Sequence, residues 1–205
     1  MTPAYKLTYF DRQGAAECIR FLFKYGGIDF EDIRITKEEW PALKHKTPFG
    51  HLPFLEHKGK IVTESVSICR YLGKIANLAS NDDWENLEID SIVDTIYDMR
   101  YQSIKVVRME QDASRKKTMK EKSLNEIIPN YFTRLEAVVE KNNGYLALGR
   151  LTWADLYFVS MCPGFDYFAG GDVFEKYPNL KALRTKVEAL SAIKEWIRVR
   201  PQSEY

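Results

Sequence analysis

The sequence predicts an α+β N-terminal domain, a four-stranded mixed sheet in the order β-α-β-α-β-β-α, followed by an all-α C-terminal domain. Three observations carry this. Two alternating, strand-forming stretches near the start enclose one helical stretch, which demands a parallel right-handed crossover. Two further short strands are separated only by the turn Lys58-Gly59, which makes them an antiparallel hairpin. Beyond the polar segment Ala79-Ser80-Asn81-Asp82-Asp83 the strand signal stops, and only helical periodicity remains.

Each element has a local cause. Tyr5-Lys6-Leu7-Thr8-Tyr9-Phe10 alternates and is rich in strand formers, so it reads as the first strand. After the polar turn Asp11 to Gly14, Ala16, Ile19, Leu22 and Phe23 follow helical spacing from Ala15 to Tyr25, and Gly26-Gly27 ends the helix. Asp29 to Ile35 alternates again as strand two, and Thr36 to Lys46, with Trp40-Pro41 inside it, reads as a short irregular helix. Thr47-Pro48-Phe49-Gly50-His51 is a loop leading to Leu52–Glu56 as strand three; Ile61–Thr63 is strand four, and a helix runs from Ser65 to about Asn77. This small sheet with flanking helices is the thioredoxin-like arrangement. The domains expected are 1–78 and 84–205, joined by the linker 79–83.

In the second half, Leu87, Ile89, Ile92, Val93, Ile96, Met99 and Ile104 mark a helix from Glu85 to about Glu110. Gln111 to Lys122 reads as a highly charged connection. A further helix carries Leu124 to Val139 and closes at Asn142-Asn143-Gly144, with Pro129 predicted to kink it or mark a join. Thr152-Trp153-Ala154-Asp155 is a capping box, flanked by Leu151 and Leu156 as a hydrophobic staple, and opens a helix to Met161 or beyond. Pro178-Asn179 opens a helix through Leu190, and Ala192 to Arg198 forms a last short one.

Composition bounds the function. With 30 Lys+Arg against 29 Asp+Glu, no global field favours nucleic acid or a membrane surface. No run approaches the ~20 apolar residues of a membrane span, and Met1 to Lys6 lacks the apolar core of a signal peptide. Three scattered cysteines (Cys18, Cys69, Cys162) argue against a disulfide scaffold and for a reducing compartment, so the expected location is cytoplasmic. The stretch from Thr47 to Ile68 suggests a ligand. Leu52, pushed towards extended backbone by Pro53, leaves its own peptide groups for an outside partner. Ser65 at a helix start suits a carboxylate. Together they would seat a small acidic peptide.

Tyr9-Phe10, Trp40-Pro41, Leu52-Pro53, Glu64-Ser65 and the Leu151-Thr152-Trp153-Ala154-Asp155 box resemble cytosolic glutathione transferases. Lys6-Leu7-Thr8-Tyr9-Phe10, Val93-Asp94-Thr95-Ile96 and Trp196-Ile197-Arg198-Val199-Arg200-Pro201 are similar to the sigma class, which includes glutathione-dependent prostaglandin-D synthases and crystallin-related proteins. The resemblance covers Tyr5 to Pro201. It implies a cis Leu52–Pro53 bond, glutathione as co-substrate, conjugation to hydrophobic electrophiles in detoxification, among them unsaturated aldehydes from lipid oxidation, and a homodimer. Tyr9 would activate the sulfur. Leu52 and Pro53 would meet the cysteinyl unit, Ser65 and Glu64 the γ-glutamyl end, and Trp40, Lys44 and His51 the glycyl end. Asp98 would reach across the dimer to the partner's glutathione.

The acceptor would lie between the domains, against Phe10, Gln13, Met99, Ile104, Lys105, Tyr157 and Met161. Tyr97 interrupts the acidic run around Asp90, Asp94 and Asp98, so no metal is predicted. Two departures from the family pattern stand out: Ala15 replaces an arginine that supports the tyrosine hydroxyl, and His51 replaces a lysine. Three alternatives stay open: a glutathione-dependent isomerase, a peroxidase, and a non-catalytic structural or ligand-binding member.

Overall fold

β1 (Tyr5–Phe10) is the strand on which the first part of the chain is built, because both of its edges are used. It pairs in parallel with β2 (Phe30–Ile35) and antiparallel with β3 (Phe54–His57), and β4 (Lys60–Val62) completes the sheet order β2-β1-β3-β4. A computed structural model describes residues 4–203; the outermost residues of the two expected domains, 1–3 and 204–205, lie outside the described residues. Four helices accompany the sheet: α1 (Glu17–Tyr25), α2 (Trp40–Leu43), α3 (Ser65–Ile75) and, from the far end of the chain, α10 (Ser191–Val199). α1 packs on α3 and on α10. Ile19, Leu22 and Phe23 of α1, Leu7 of β1 and Leu72 of α3 lose all contact with water. Burial of each such side chain is worth about 1.5–3 kcal/mol.

The element order matches the expected β-α-β-α-β-β-α, with small shifts at the ends. A single 3₁₀ turn, Gly14–Ala16, precedes α1, and strand three starts at Phe54 rather than Leu52. Pro53 cannot donate a ladder hydrogen bond, so pairing begins after it.

By contact the chain divides into Met1–Ala79 with Glu188–Tyr205, and Ser80–Val187. The last segment therefore groups with the sheet, whereas the sequence assigned it to the helical domain. The cause is a set of polar contacts that hydrophobic periodicity does not register: Trp196 Nε1 and Arg200 Nη1 each donate to Glu17 Oε1 at 2.8 Å.

The second unit is helical: α4 (Asp83–Arg100), α5 (Val106–Met109), α6 (Ala113–Lys122), α7 (Ile128–Lys141), α8 (Trp153–Ala169) and α9 (Pro178–Glu188). Where the sequence suggested one helix to Glu110, α4 passes into α5 through a π-helical turn at Tyr101–Lys105. A second π turn, Ser123–Ile127, joins α6 to α7, and Pro129 falls in the first turn of α7 beyond it. Proline there marks a join, since its missing N–H is least costly in a first helical turn.

The charged connection is in fact largely a helix. α6 is polar all round, so it has no apolar stripe to announce it. Asp112 caps it by accepting the Arg115 N–H at 2.8 Å, and Glu110 accepts from the Arg115 guanidinium.

Aromatic packing fills this unit. Phe132 of α7 stacks on Phe174 at 4.9 Å and meets Phe165 of α8 edge-on at 5.4 Å. α8 is buried along most of its length and packs on α4, and its capping box forms as expected. Asp155 is fully buried and accepts from the N–H groups of Leu146 (2.8 Å) and Thr152 (2.7 Å) and from the Thr152 hydroxyl (3.1 Å). Burial pushes its carboxyl up from the ordinary 3.8 to about 6, against those hydrogen bonds.

A folded-state value above the unfolded one means that the contribution is fully present below the unfolded value and fades as pH rises through about 6. About two units correspond to about 3 kcal/mol. Urea titrations at a series of pH values should show the stability advantage of the wild type over Asp155→Asn narrowing by up to that amount between pH ~4 and ~7. An advantage that widens over this range would contradict the assignment.

Candidate functional site

One edge of the sheet collects the residues the sequence singled out. The C-terminal ends of β1 and β2 lie there because the two strands are parallel. β3 begins there, since Thr8 pairs with Phe54, and continuing that register backwards sets Pro53 and Leu52 beside Tyr9 and Phe10. β4 ends there, since Val62 pairs with Leu55, and α3 starts three residues later at Ser65. Topology alone thus brings Tyr9, Leu52 and Ser65 to one edge. The Leu52–Pro53 bond is cis, as the resemblance implies.

Tyr9 is nearly buried, and its hydroxyl accepts the Ala15 N–H at 3.3 Å. The phenol proton is thereby left for an outside acceptor. Gly14 makes this approach possible: its φ is +47°, and a Cβ there would stand 2.8 Å from Tyr9 Oη. Such a conformation suits glycine, which has no side chain to clash.

The turn from Asp11 to Gly14 is fixed from beneath by Arg20. This fully buried guanidinium donates through Nη1 to the carbonyl of Arg12 (2.9 Å) and to Glu17 Oε2 (3.0 Å). Through Nε it donates to Asp32 Oδ1 (3.0 Å). Glu17, equally buried, also takes the Trp196 and Arg200 donors. Asp32 and Asp11 share Arg34, the register neighbour of Tyr9 on β2.

At the other end of the edge, Glu64 precedes α3 with φ 72° and ψ 97°, a backbone region that a side chain rarely adopts. Its carboxylate lies 3.1 Å from His51 Nδ1, and both side chains are about 60% exposed (63% and 60%), so the pair adds little to stability. The structure thus joins two residues that were expected at different ends of a ligand. Ser65 is half-buried as the first residue of α3. Lys44 lies over Gly50, where a Cβ would come within 2.9 Å of its Cε. Trp40 opens α2 and is half-buried.

The residues expected to meet an acceptor sort by unit. In the first, Gln13 is buried and Phe10 half-buried, its ring 5.8 Å from that of Tyr9. In the second, Met99, Ile104, Tyr157 and Met161 are buried, and Lys105 is exposed with its ammonium 4.9 Å from the Tyr101 ring. Ile104 and Lys105 fall in the π turn. Asp98 is exposed on α4, as is Asp94.

With this geometry in place the chain was compared with known proteins. The model of the glutathione S-transferase N-terminal domain matches residues 5–74, and that of the C-terminal domain matches residues 97–200. The chain belongs to the glutathione S-transferase family. Within the family it is 43% identical to a glutathione S-transferase of Anopheles gambiae, over 98% of this chain and 99% of that one. It is 36% identical to the human hematopoietic prostaglandin D synthase, over 98% and 99%. The solved structure of prostaglandin synthase D of Nilaparvata lugens superposes with a TM-score of 0.93 at 44% identity, covering 98% of this chain and all of that one.

The Glu17–Arg20 pair was missed because an i, i+3 pair of opposite charge reads as a solvated helix face. A signal was nonetheless there: both residues flank the apolar positions of a helix that starts beside Tyr9.

Two outcomes follow for this transferase-family chain. Arg20→Met removes one of the two arginines on each of Glu17 and Asp32, while Arg200 and Arg34 remain, and should cost about 1.5–3 kcal/mol in chemical denaturation; a cost below ~0.5 kcal/mol would show that the brace is dispensable. Gly14→Ala should cost about 1–2 kcal/mol in the same measurement, from the positive φ alone, and should also disturb the Tyr9 hydroxyl.

Proposed function

We propose that this chain is a sigma-class glutathione transferase that conjugates the thiolate of glutathione to hydrophobic electrophiles, lipid-peroxidation products among them, in the cytoplasm and as a homodimer. The observation that carries the reading is the Tyr9 hydroxyl, which takes a backbone N–H and keeps its own proton, on the edge shared with Leu52 and Ser65.

The energetics fit. A cysteine thiol has pKa ~8.5, and lowering it by ~2 units means favouring the thiolate by about 2.7 kcal/mol. One hydrogen bond donated to an anion is worth about 1.5–3 kcal/mol. Tyr9 would supply that bond to the sulfur, with the thiol proton passing to solvent. The Ala15 N–H, by stabilising charge on the phenol oxygen, makes Tyr9 a stronger donor.

Leu52 would pair through its peptide groups with the cysteinyl unit, with Pro53 ending the loop behind it. Ser65 and the free N–H groups that open α3 would hold the γ-glutamyl carboxylate. Glu64 would exchange His51 for the ligand's α-amino group. His51 would then turn, with Trp40 and Lys44, to the glycyl carboxylate. Asp98 of a second copy would add its charge at the γ-glutamyl end. Residues 1–78 would form the glutathione-binding domain, 79–83 the linker and 84–205 the helical domain. Phe10, Gln13, Met99, Ile104, Lys105, Tyr157 and Met161 would meet the acceptor. Apolar and thioether groups suit a range of hydrophobic molecules.

The prostaglandin-synthase relatives make glutathione-dependent isomerisation the second reading. It would use the same Tyr9 chemistry and differ only in the acceptor, so acceptor profiling separates the two.

The test is direct. The purified protein should bind glutathione resin and conjugate a chlorodinitrobenzene-type acceptor. Tyr9→Phe should lower kcat by at least about tenfold, the loss of roughly 1.4 kcal/mol or more of transition-state stabilisation. Full activity in that variant would sink the mechanism, and a wild type inert towards every electrophile would favour a structural role.

A further inference from the structure

Arg12 is the one cation beside Tyr9 with no counter-charge among the described residues. It lies in the turn that Arg20 holds, two residues beyond β1. Its guanidinium carbon stands 5.1 Å from the centroid of the Phe10 ring and 5.9 Å from that of Tyr9. Both lie inside the ~6 Å at which a cation is attracted to a ring face. Its Nε is buried and has no protein hydrogen-bond partner.

The other charges nearest Tyr9 are compensated, and Lys24 lies at the far end of α1 over the rings of Phe30 and Trp196. On β2 and the turn, Arg34 pairs with Asp11 at 2.9 Å and with Asp32 at 3.0 Å. On α1, Arg20 pairs with Glu17 and Asp32, and Glu17 also takes Arg200 from the segment after α10. On β3, in register with β1, Glu56 stands opposite Lys6 and His57 opposite Tyr5, at the end of β1 away from Tyr9; His57 Nδ1 lies 2.8 Å from the carbonyl of Ala4. Asp11, the carboxylate next to Arg12 in sequence, is already engaged. The Arg12 charge is thus left to act on the two rings.

We propose that Arg12 is a positioning residue for the thiol chemistry. A cation over the face of a phenol favours the electron-rich phenolate character of the ring. The hydroxyl then donates a stronger hydrogen bond to the glutathione sulfur. The position next to the phenol contact offers no such charge, because Ala15 contributes only its backbone N–H. Arg12 acts through Tyr9 and touches neither reacting atom. This inference rests on the proposed transferase function and deepens it.

The substitution is clean, since the Arg12 group bound by Arg20 is the backbone carbonyl and survives any side-chain change. The experiment follows the near-ultraviolet absorbance of the glutathione thiolate bound to the full-length protein as pH is varied, in the wild type, Arg12→Met and Arg12→Lys. The wild type should bind a thiolate well below the ordinary thiol range. Arg12→Met should raise the midpoint by about half to one pH unit, the equivalent of a ring–cation contact. The acid limb of kcat/KM should move with it. Arg12→Lys should restore most of the shift, and glutathione affinity measured above the midpoint should not change.

An unmoved midpoint in Arg12→Met, with the wild type titrating as expected, overturns this inference and leaves the transferase reading standing. Equal midpoints for the Met and Lys variants, both raised, overturn the charge-based account. A wild type that binds no thiolate overturns the transferase reading and this inference with it.

Discussion

The buried guanidinium of Arg20 is the contact on which the first unit depends. From α1 it reaches the carbonyl of Arg12 in the turn after β1, Asp32 on β2 and Glu17 one helical turn back. Three pieces of chain that are separate in sequence are thereby fixed to one planar group whose donors point in set directions. Buried ion pairs are weak evidence for net stability, because desolvating the charges offsets most of their attraction. Their rigid geometry matters more here. The Arg12 carbonyl can move little without losing a charge-assisted hydrogen bond, and the turn it belongs to sets where Ala15 meets Tyr9. Glu17 extends the brace to Trp196 and Arg200, so the end of the chain is bound to the helix that starts beside the site.

The second unit is held by different means. Its interior is apolar and aromatic, with the Phe132 ring against those of Phe158, Phe165 and Phe174. Its one fully buried carboxylate, Asp155, has backbone and hydroxyl donors in place of a counter-ion. Helix ends are satisfied across long sequence distances: Glu136 of α7 accepts the N–H groups of Asn179 and Leu180 at 2.8 and 2.9 Å, capping α9. An acid at a helix start also complements the dipole there.

That division explains what could be read from the sequence. Strand alternation in Tyr5–Phe10, the Lys58-Gly59 turn and the Thr152–Asp155 box are local signals, and each element they predict is present. The gathering of Tyr9, Leu52 and Ser65 was legible only through the family resemblance, since neither the crossover nor the hairpin by itself sets the antiparallel pairing of β3 with β1 that brings them to one edge. What escaped was non-local or polar. α6 lacks an apolar stripe, and the Glu136 cap spans more than forty residues. The placement of α10 depends on donors to Glu17. The His51–Glu64 pair escaped for a related reason: its residues stand 13 apart in sequence, one in a loop and one before a helix, with no periodicity to link them.

The turn after β1 also shows where stability gives way to function. Five buried side-chain polar atoms lack a protein partner among the described residues, and three of them, Arg12 Nε, Gln13 Oε1 and Arg20 Nη2, belong to this turn or to the arginine beneath it. Each such atom costs about 1–3 kcal/mol. A chain selected for stability alone would not concentrate that cost in four consecutive residues and their brace. The turn adds a positive-φ glycine whose missing side chain makes room for a hydroxyl. Local rules broken together at one place are what shaping for a ligand, at the expense of stability, would produce. The residue at its centre is Tyr9, whose hydroxyl accepts the Ala15 N–H at the edge of the sheet that Leu52 and Ser65 share.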